Sequence, residues 1–205
     1  MRPKSSVPRT TVERAPSPPR PSPSRKVGKG EADTSASPPC IYCGVDNGAS
    51  GSIAILSPDA SPFWAATPVK RCRNYQKTEK HLNRVDAEAL FDILHDRVYV
   101  PAQQTGIRTL VLLERPYCNP AGFNASMLAA RALEATLVVL DLLHLEYRFV
   151  DSKEWQAVML PKGIIGRDEL KKASYEVGKK LFATTKFKKD ADSLLMAQWA
   201  KNTKL

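Results

Sequence analysis

Three carboxylates far apart in the chain, Asp46, Glu114 and Asp192, each stand at the end of a segment whose pattern predicts regular structure. Asp46 closes the apolar run Ile41-Tyr42-Cys43-Gly44-Val45 just before a glycine-rich turn, and Glu114 closes Leu110-Val111-Leu112-Leu113. Short apolar runs bounded by turn residues read as buried strands. Asp192 opens Asp192-Ser193-Leu194-Leu195-Met196-Ala197-Gln198-Trp199-Ala200. That spacing suits a helix with an acid in its first turn, where the helix dipole favours negative charge. Acids at corresponding ends of adjacent strands, about 4.8 Å apart, can bridge metal ions, and a helix acid can close the cluster. Carboxylate oxygens suit magnesium, which keeps several waters and takes a further oxygen from a phosphate. Two such ions roughly 3.5–4 Å apart activate a water and stabilise the leaving oxygen of a phosphodiester. The chemistry expected is therefore two-metal hydrolysis, without a cysteine or histidine nucleophile. Any one of these acids alone reads as a cap or turn residue; their joint placement is what points to a site.

The elements that must deliver them follow from the pattern. Residues 41–46 and 52–56 predict antiparallel strands joined by Asn47-Gly48-Ala49-Ser50-Gly51, and Phe63 to Thr67, ended by Pro68, predicts a third strand of a meander. From Lys70 to Arg84 there are six Lys or Arg and one acid, Glu79. This candidate nucleic-acid rim leads into a helix with Val85, Leu90, Phe91 and Leu94 on its inner side. After Glu114 come a loop, Arg115 to Phe123, and a helix from Asn124 to about Leu145 that is apolar nearly all round. Such a helix must be buried on several sides, either as a central core helix or with one side against a second copy of the chain; a dimer is the expectation. Tyr147 to Val150 predicts another strand, Ser152 an N-cap for a short helix containing Trp155 and Val158, and Asp168 to Phe182 a further helix. The order predicts an α/β, ribonuclease-H-like fold: a five-stranded mixed sheet, three antiparallel strands then two parallel, flanked by helices.

Composition sets the wider frame. Residues 1–39 hold nine of the sixteen prolines, seven serines and almost no large apolar side chain, so a disordered leader and one domain over residues 40–205 are expected. The leader is Arg- and Ser-rich and acid-poor, as organelle transit segments are; an ordinary linker has the same composition. No stretch is long and uncharged enough to span a bilayer, and the secretory apolar core is lacking, so a soluble protein is expected. The net charge is +10, and residues Ser152 to Lys189 alone carry ten Lys or Arg against four acids. That balance favours a polyanion partner. Cys40 and Cys43 form a C-x-x-C pair, but zinc wants four ligands and only the isolated Cys72 and Cys118 remain; buried apolar roles fit better. His81, His95 and His144 carry no catalytic signal.

Gly44-Val45-Asp46 before a glycine-containing hairpin, Leu112-Leu113-Glu114-Arg115-Pro116 and Asp190-Ala191-Asp192-Ser193-Leu194-Leu195 resemble the motifs of RuvC-type Holliday-junction resolvases, over about Cys40 to Ala200. With its basic, Ser- and Pro-rich leader, the chain is most similar to the plant chloroplast members, which implies a chloroplast nucleoid location. The resemblance implies a homodimer that binds four-way junction DNA and nicks two opposing strands symmetrically, with two Mg2+ ions for which Mn2+ substitutes. Asp46, Glu114 and Asp192 would be catalytic metal ligands. Family members place an acid or His three residues before the helix Asp; here that position is Lys189, and Asp190 is the nearest replacement as fourth ligand. With Lys189 in that place, affinity for the second ion would fall. Tyr117 matches an aromatic that stacks on bases beside the crossover, a contact worth about 1–3 kcal/mol, although a Tyr packed on its own loop is the plainer reading. Lys153, Lys171 and Lys172 lie on elements that flank the site in the family, where one could stabilise the transition-state phosphate. Arg71, Arg73, Lys77, Lys80 and Arg115 complete the expected DNA contacts.

Three alternatives stay open. A junction-binding protein without catalysis would share all but the metal-dependent nicking. Another ribonuclease-H-like nuclease would cut linear or hybrid substrates. The hairpin Asp46 to Ser52 also resembles the phosphate loop of actin-like and sugar-kinase ATPases, but those bind nucleotide between two such domains.

Overall fold

The computed structural model describes residues 38–73, 81–116, 121–188 and 191–205. The chain divides into two units, Met1–Ala36 and Ser37–Leu205, and the fold below is that of the second. β1 (Cys40–Asp46) and β2 (Ser52–Leu56) pair antiparallel, with Asp46 opposite Ser52 and Tyr42 opposite Leu56. Their turn closes through the Gly51 N–H to the Gly48 carbonyl, where Gly48 takes a positive φ. β3 (Phe63–Ala66) adds antiparallel to β2. β6 (Arg108–Glu114) runs parallel to β1, and β7 (Tyr147–Val150) parallel to β6, giving the order β3-β2-β1-β6-β7. Three antiparallel strands followed by two parallel ones are the ribonuclease-H-like sheet expected from the sequence.

β1 and β6 are buried on both faces, so each side of the sheet carries its own apolar layer. Side chains alternate along a strand, and the parity here is clean. Ile41, Cys43 and Val45 with Val111 and Leu113 face one way, onto α1 (Ala87–Leu94) and α3 (Phe123–Leu142). Tyr42 with Leu110 and Leu112 faces the other, onto α4 (Ser152–Met159), α5 (Arg167–Leu181) and α6 (Asp192–Thr203). Cys40 and Cys43 therefore lie on opposite faces and cannot act as a C-x-x-C pair. Burial pushes the Cys43 thiol up to about 12, which leaves it an inert apolar group.

Several expectations need correction. Residues Val69–Arg73 and His81–Val85 form β4 and β5, an antiparallel ribbon outside the main sheet, where a basic lead-in to a helix was expected. Val85 belongs to this ribbon, and the helix behind it, α1, continues through a π-helical turn (His95–Tyr99) into α2 (Val100–Thr105). Asp151, not Ser152, caps α4: its carboxylate accepts from the Lys153 N–H, while Glu154 accepts from the Asp151 N–H. The helix contains Trp155, fully buried, and Val158, 62% exposed. Of the two readings of α3, the central core helix does not hold: within one copy it buries only Ala132, Thr136, Val139 and Leu140. The central helix is α6, engulfed from Ser193 to Ala200 except at Gln198. No helix among the described residues is long and apolar enough to cross a membrane.

Candidate active site

Parity on the strands builds the site. Asp46 continues the Tyr42–Gly44 side of β1, and Glu114 the Leu110–Leu112 side of β6, so both carboxylates leave the same face of the sheet at the same end. The register pairs Val45 with Leu113, which puts the two acids on neighbouring strands one residue further on. α6 lies across that face. Gly44 makes its approach possible, because a Cβ there would collide with the Ser193 carbonyl and crowd the Ala197 nitrogen. A buried hydrogen bond of 2.8 Å between the Ser52 and Ser193 hydroxyls ties the start of β2 to the same turn of α6. Asp192, the first residue of α6, is thereby delivered to the two strand acids, at the end where the helix dipole favours a carboxylate.

Glu114 feels the charge of both other acids. Burial pushes the Glu114 carboxyl up to about 8, helped by the Asp46 charge, by the hydrogen bond that Glu114 makes to Asp46 as the protonated partner, and by the Asp192 charge. The Trp155 indole pulls the other way, although its fully buried N–H reaches no hydrogen-bond partner of ordinary geometry among the described residues. Glu114 therefore holds a proton more tightly than a free glutamate does.

The donor set, all carboxylate oxygen and crowded with negative charge, fits a hard divalent cation, which would relieve the repulsion that raises Glu114. Among the described residues no three acids, histidines or cysteines stand close enough together to ligate one ion. Asp190 and Lys189, the two residues weighed for the fourth place, lie outside the described residues.

The expected DNA contacts divide into groups. Arg115 follows Glu114 directly, is exposed, and sits over the Phe149 ring, 5.8 Å from its centroid. Lys153 is exposed in the first turn of α4, which starts at the same sheet end as Glu114, since Glu114 pairs with Val150. Lys172 is exposed on α5 and Lys171 half-buried beside it. Arg71 and Arg73 are exposed on β4. That ribbon is rooted at the acid-bearing end of the sheet, where the Thr67 N–H donates to the Gly51 carbonyl and Lys70 pairs with Asp86 at 3.1 Å. Lys77, Lys80 and Tyr117 lie outside the described residues. A cavity of about 480 Å3, lined by Tyr99, Gln103, His144 and the Arg108–Glu146 ion pair, sits at the opposite end of the sheet and shares no residue with the acids.

Sequence reasoning missed the groups that hold the acids in place. Ser174 on α5 donates to Asp192, the Ser52–Ser193 pair pins α6, and Trp155 walls Glu114. Only Ser174 left a trace, as a polar residue on the otherwise apolar face formed by Leu170, Ala173 and Val177. No family model and no curated protein matches this chain. Among solved structures it is similar to Thermus thermophilus RuvC in complex with a Holliday junction substrate, with a TM-score of 0.45 and 12% identity over 80% of this chain and 96% of that one. A second Thermus thermophilus RuvC structure gives a TM-score of 0.43 and 12% identity over the same shares.

Proposed function

We propose that this chain is a magnesium-dependent endonuclease that cuts phosphodiester bonds in four-way junction DNA, working as a homodimer. The observation that carries it is the convergence of Asp46, Glu114 and Asp192 from β1, β6 and α6, close enough to hold Glu114 up to about 8. Asp46, Glu114 and Asp192, with Asp190, would hold two Mg2+, for which Mn2+ can substitute; when bound, these ions activate a water and stabilise the leaving oxygen. Glu114 must give up its proton to serve as a ligand, and Asp46 and Asp192 set the field that decides when it does. Arg115 and Lys153 would meet the phosphates flanking the scissile bond, while Arg71 and Arg73 on the ribbon, with Lys77 and Lys80, reach along the arms. Lys171 and Lys172 would line the other side of the site, and Tyr117 would stack on a base at the crossover. Exposed Leu128, Val138 and Leu142 on α3 support pairing of two copies, which would present two sites for paired nicks. The leader's composition supports a chloroplast destination, which import of a fluorescent fusion of residues 1–39 would test.

A junction-binding protein without catalysis is the second reading, favoured by the lack of a closed ligand set among the described residues. One assay separates them. A labelled immobile junction, a linear duplex and an RNA–DNA hybrid are incubated with Mg2+ and either this chain or its Asp46→Asn variant. Paired nicks near the crossover, lost in the variant, are expected. Tight junction binding without cutting would select the second reading, and no preference for the junction would sink both.

A further inference from the structure

Hydroxyls inside helices usually return to their own backbone. Thr105, Thr136 and Thr203 do so here, each bonding the carbonyl four residues back. Ser174 does not. It sits mid-way along α5, 1% exposed, and its Oγ reaches across to α6, where it donates to Asp192 Oδ1 and accepts from the Ala191 N–H at 3.1 Å. The second bond fixes the direction of the first: with the Ala191 N–H pointing at its lone pair, the single hydroxyl proton goes to the carboxylate. One turn further on, Gly178 packs so tightly on Ala191 that a Cβ there would overlap the alanine methyl and crowd the Phe187 ring. α5 thus packs closely on the residue that precedes α6, with the Ser174 hydroxyl at the start of that helix.

We infer that Ser174 is a positioning residue for the cation site: its hydroxyl fixes the rotamer and plane of the Asp192 carboxylate, so that the helix acid meets a divalent cation in one orientation. The inference rests on the metal-site reading of the three acids. Outer partners of this kind change metal affinity by about 10–100-fold when removed. A merely structural serine would change stability and leave affinity alone.

The test uses the full chain, Ser174→Ala, and Ser174→Cys, which keeps a far weaker donor at the γ position and serves should the alanine variant fail to fold. Mn2+ binding is followed by titration calorimetry without DNA, junction cutting is measured against Mg2+ concentration, and thermal melting checks the fold. The expected result is Mn2+ binding at least about tenfold weaker in the alanine variant, intermediate in the cysteine variant, with the Mg2+ dependence of cutting moved to higher concentration and the rate recovered at saturation. Titrations that superimpose on the parent's, or a rate loss that no Mg2+ concentration restores, would overturn the role of Ser174 alone. A parent chain that takes up no cation at all would overturn the site together with it.

Discussion

α3 and α6 are the two helices whose sequences and surroundings agree least. α3 is the more apolar, yet only four of its 20 residues are buried, and Phe123 and Leu142 stand 65% and 64% exposed. α6 carries Asp192, Gln198, Lys201 and Asn202, yet seven of its 12 residues are buried. The difference is positional. α6 lies along β1 over Gly44, with α4 and α5 closing over it, whereas α3 covers the other face and leaves Phe123, Leu128, Val138 and Leu142 exposed. Apolar composition thus says that a helix wants partners, and the sheet decides whether the same chain supplies them.

The two helices should differ most when a leucine is cut back on each. Leu195→Ala on α6 should cost about 2–5 kcal/mol in urea unfolding, the usual range for a buried leucine. Leu142→Ala on α3, at a concentration that keeps protomers apart, should stay within about 0.5 kcal/mol, as exposed substitutions do. Similar losses at both sites would erase the distinction between the helices.

Next in size is the effect of pH on the metal-free protein. Glu114 is raised from 4.5 to about 8 in the folded chain, so the folded state keeps a proton that the unfolded state releases. Stability conferred by that proton is complete below pH 4.5 and is lost as the pH rises towards 8. The melting temperature should fall across that window, Glu114→Gln should flatten the fall, and added Mg2+ should oppose it. A melting temperature that rises over the same range would mean that Asp192 and Asp46 do not crowd Glu114.

Placing Glu at both Leu128 and Leu142 asks whether a second copy supplies the partner that α3 lacks. The variant should fold normally but sediment as a single protomer and lose paired nicking, because charges would replace the apolar stripe. An unchanged sedimentation coefficient would leave α3 without a partner. Smallest in effect, replacing Arg71, Arg73 and Lys153 by Ala should flatten the salt dependence of junction binding by roughly 0.9 log unit for each phosphate no longer neutralised. An unchanged slope would remove the ribbon and α4 from the DNA face.

Much of this architecture was legible because strands and acids announce themselves locally. The apolar run from Ile41 to Val45, the turn glycines and the apolar run before Glu114 made legible the paired first strands, the later strand and the end at which both acids emerge. The β4–β5 ribbon was not legible. Lys70, Arg71 and Arg73 face Arg84, Asn83 and His81 with no apolar side, so its pairing leaves no period in the sequence. The α4 cap was one residue off, although Asp151 and Glu154 stand at the three-residue spacing of a capping box. Ser174 could not be found from sequence as a partner of Asp192, since that bond spans 18 residues and depends on how α5 meets α6. The choice between the two readings of α3 was not legible for the same reason: burial is a property of neighbours and not of the helix.

Gly44 has a bearing on the order in which danger arises during folding. Two of the acids come together as soon as β1 and β6 pair, but the third arrives only when α6 has seated its first turn on that glycine. On the proposed function, a chain with a formed sheet and a loose α6 would hold an incomplete set of ligands and would leave DNA uncut. Docking of one helix onto bare backbone would then act as a safety catch, released only by the finished fold.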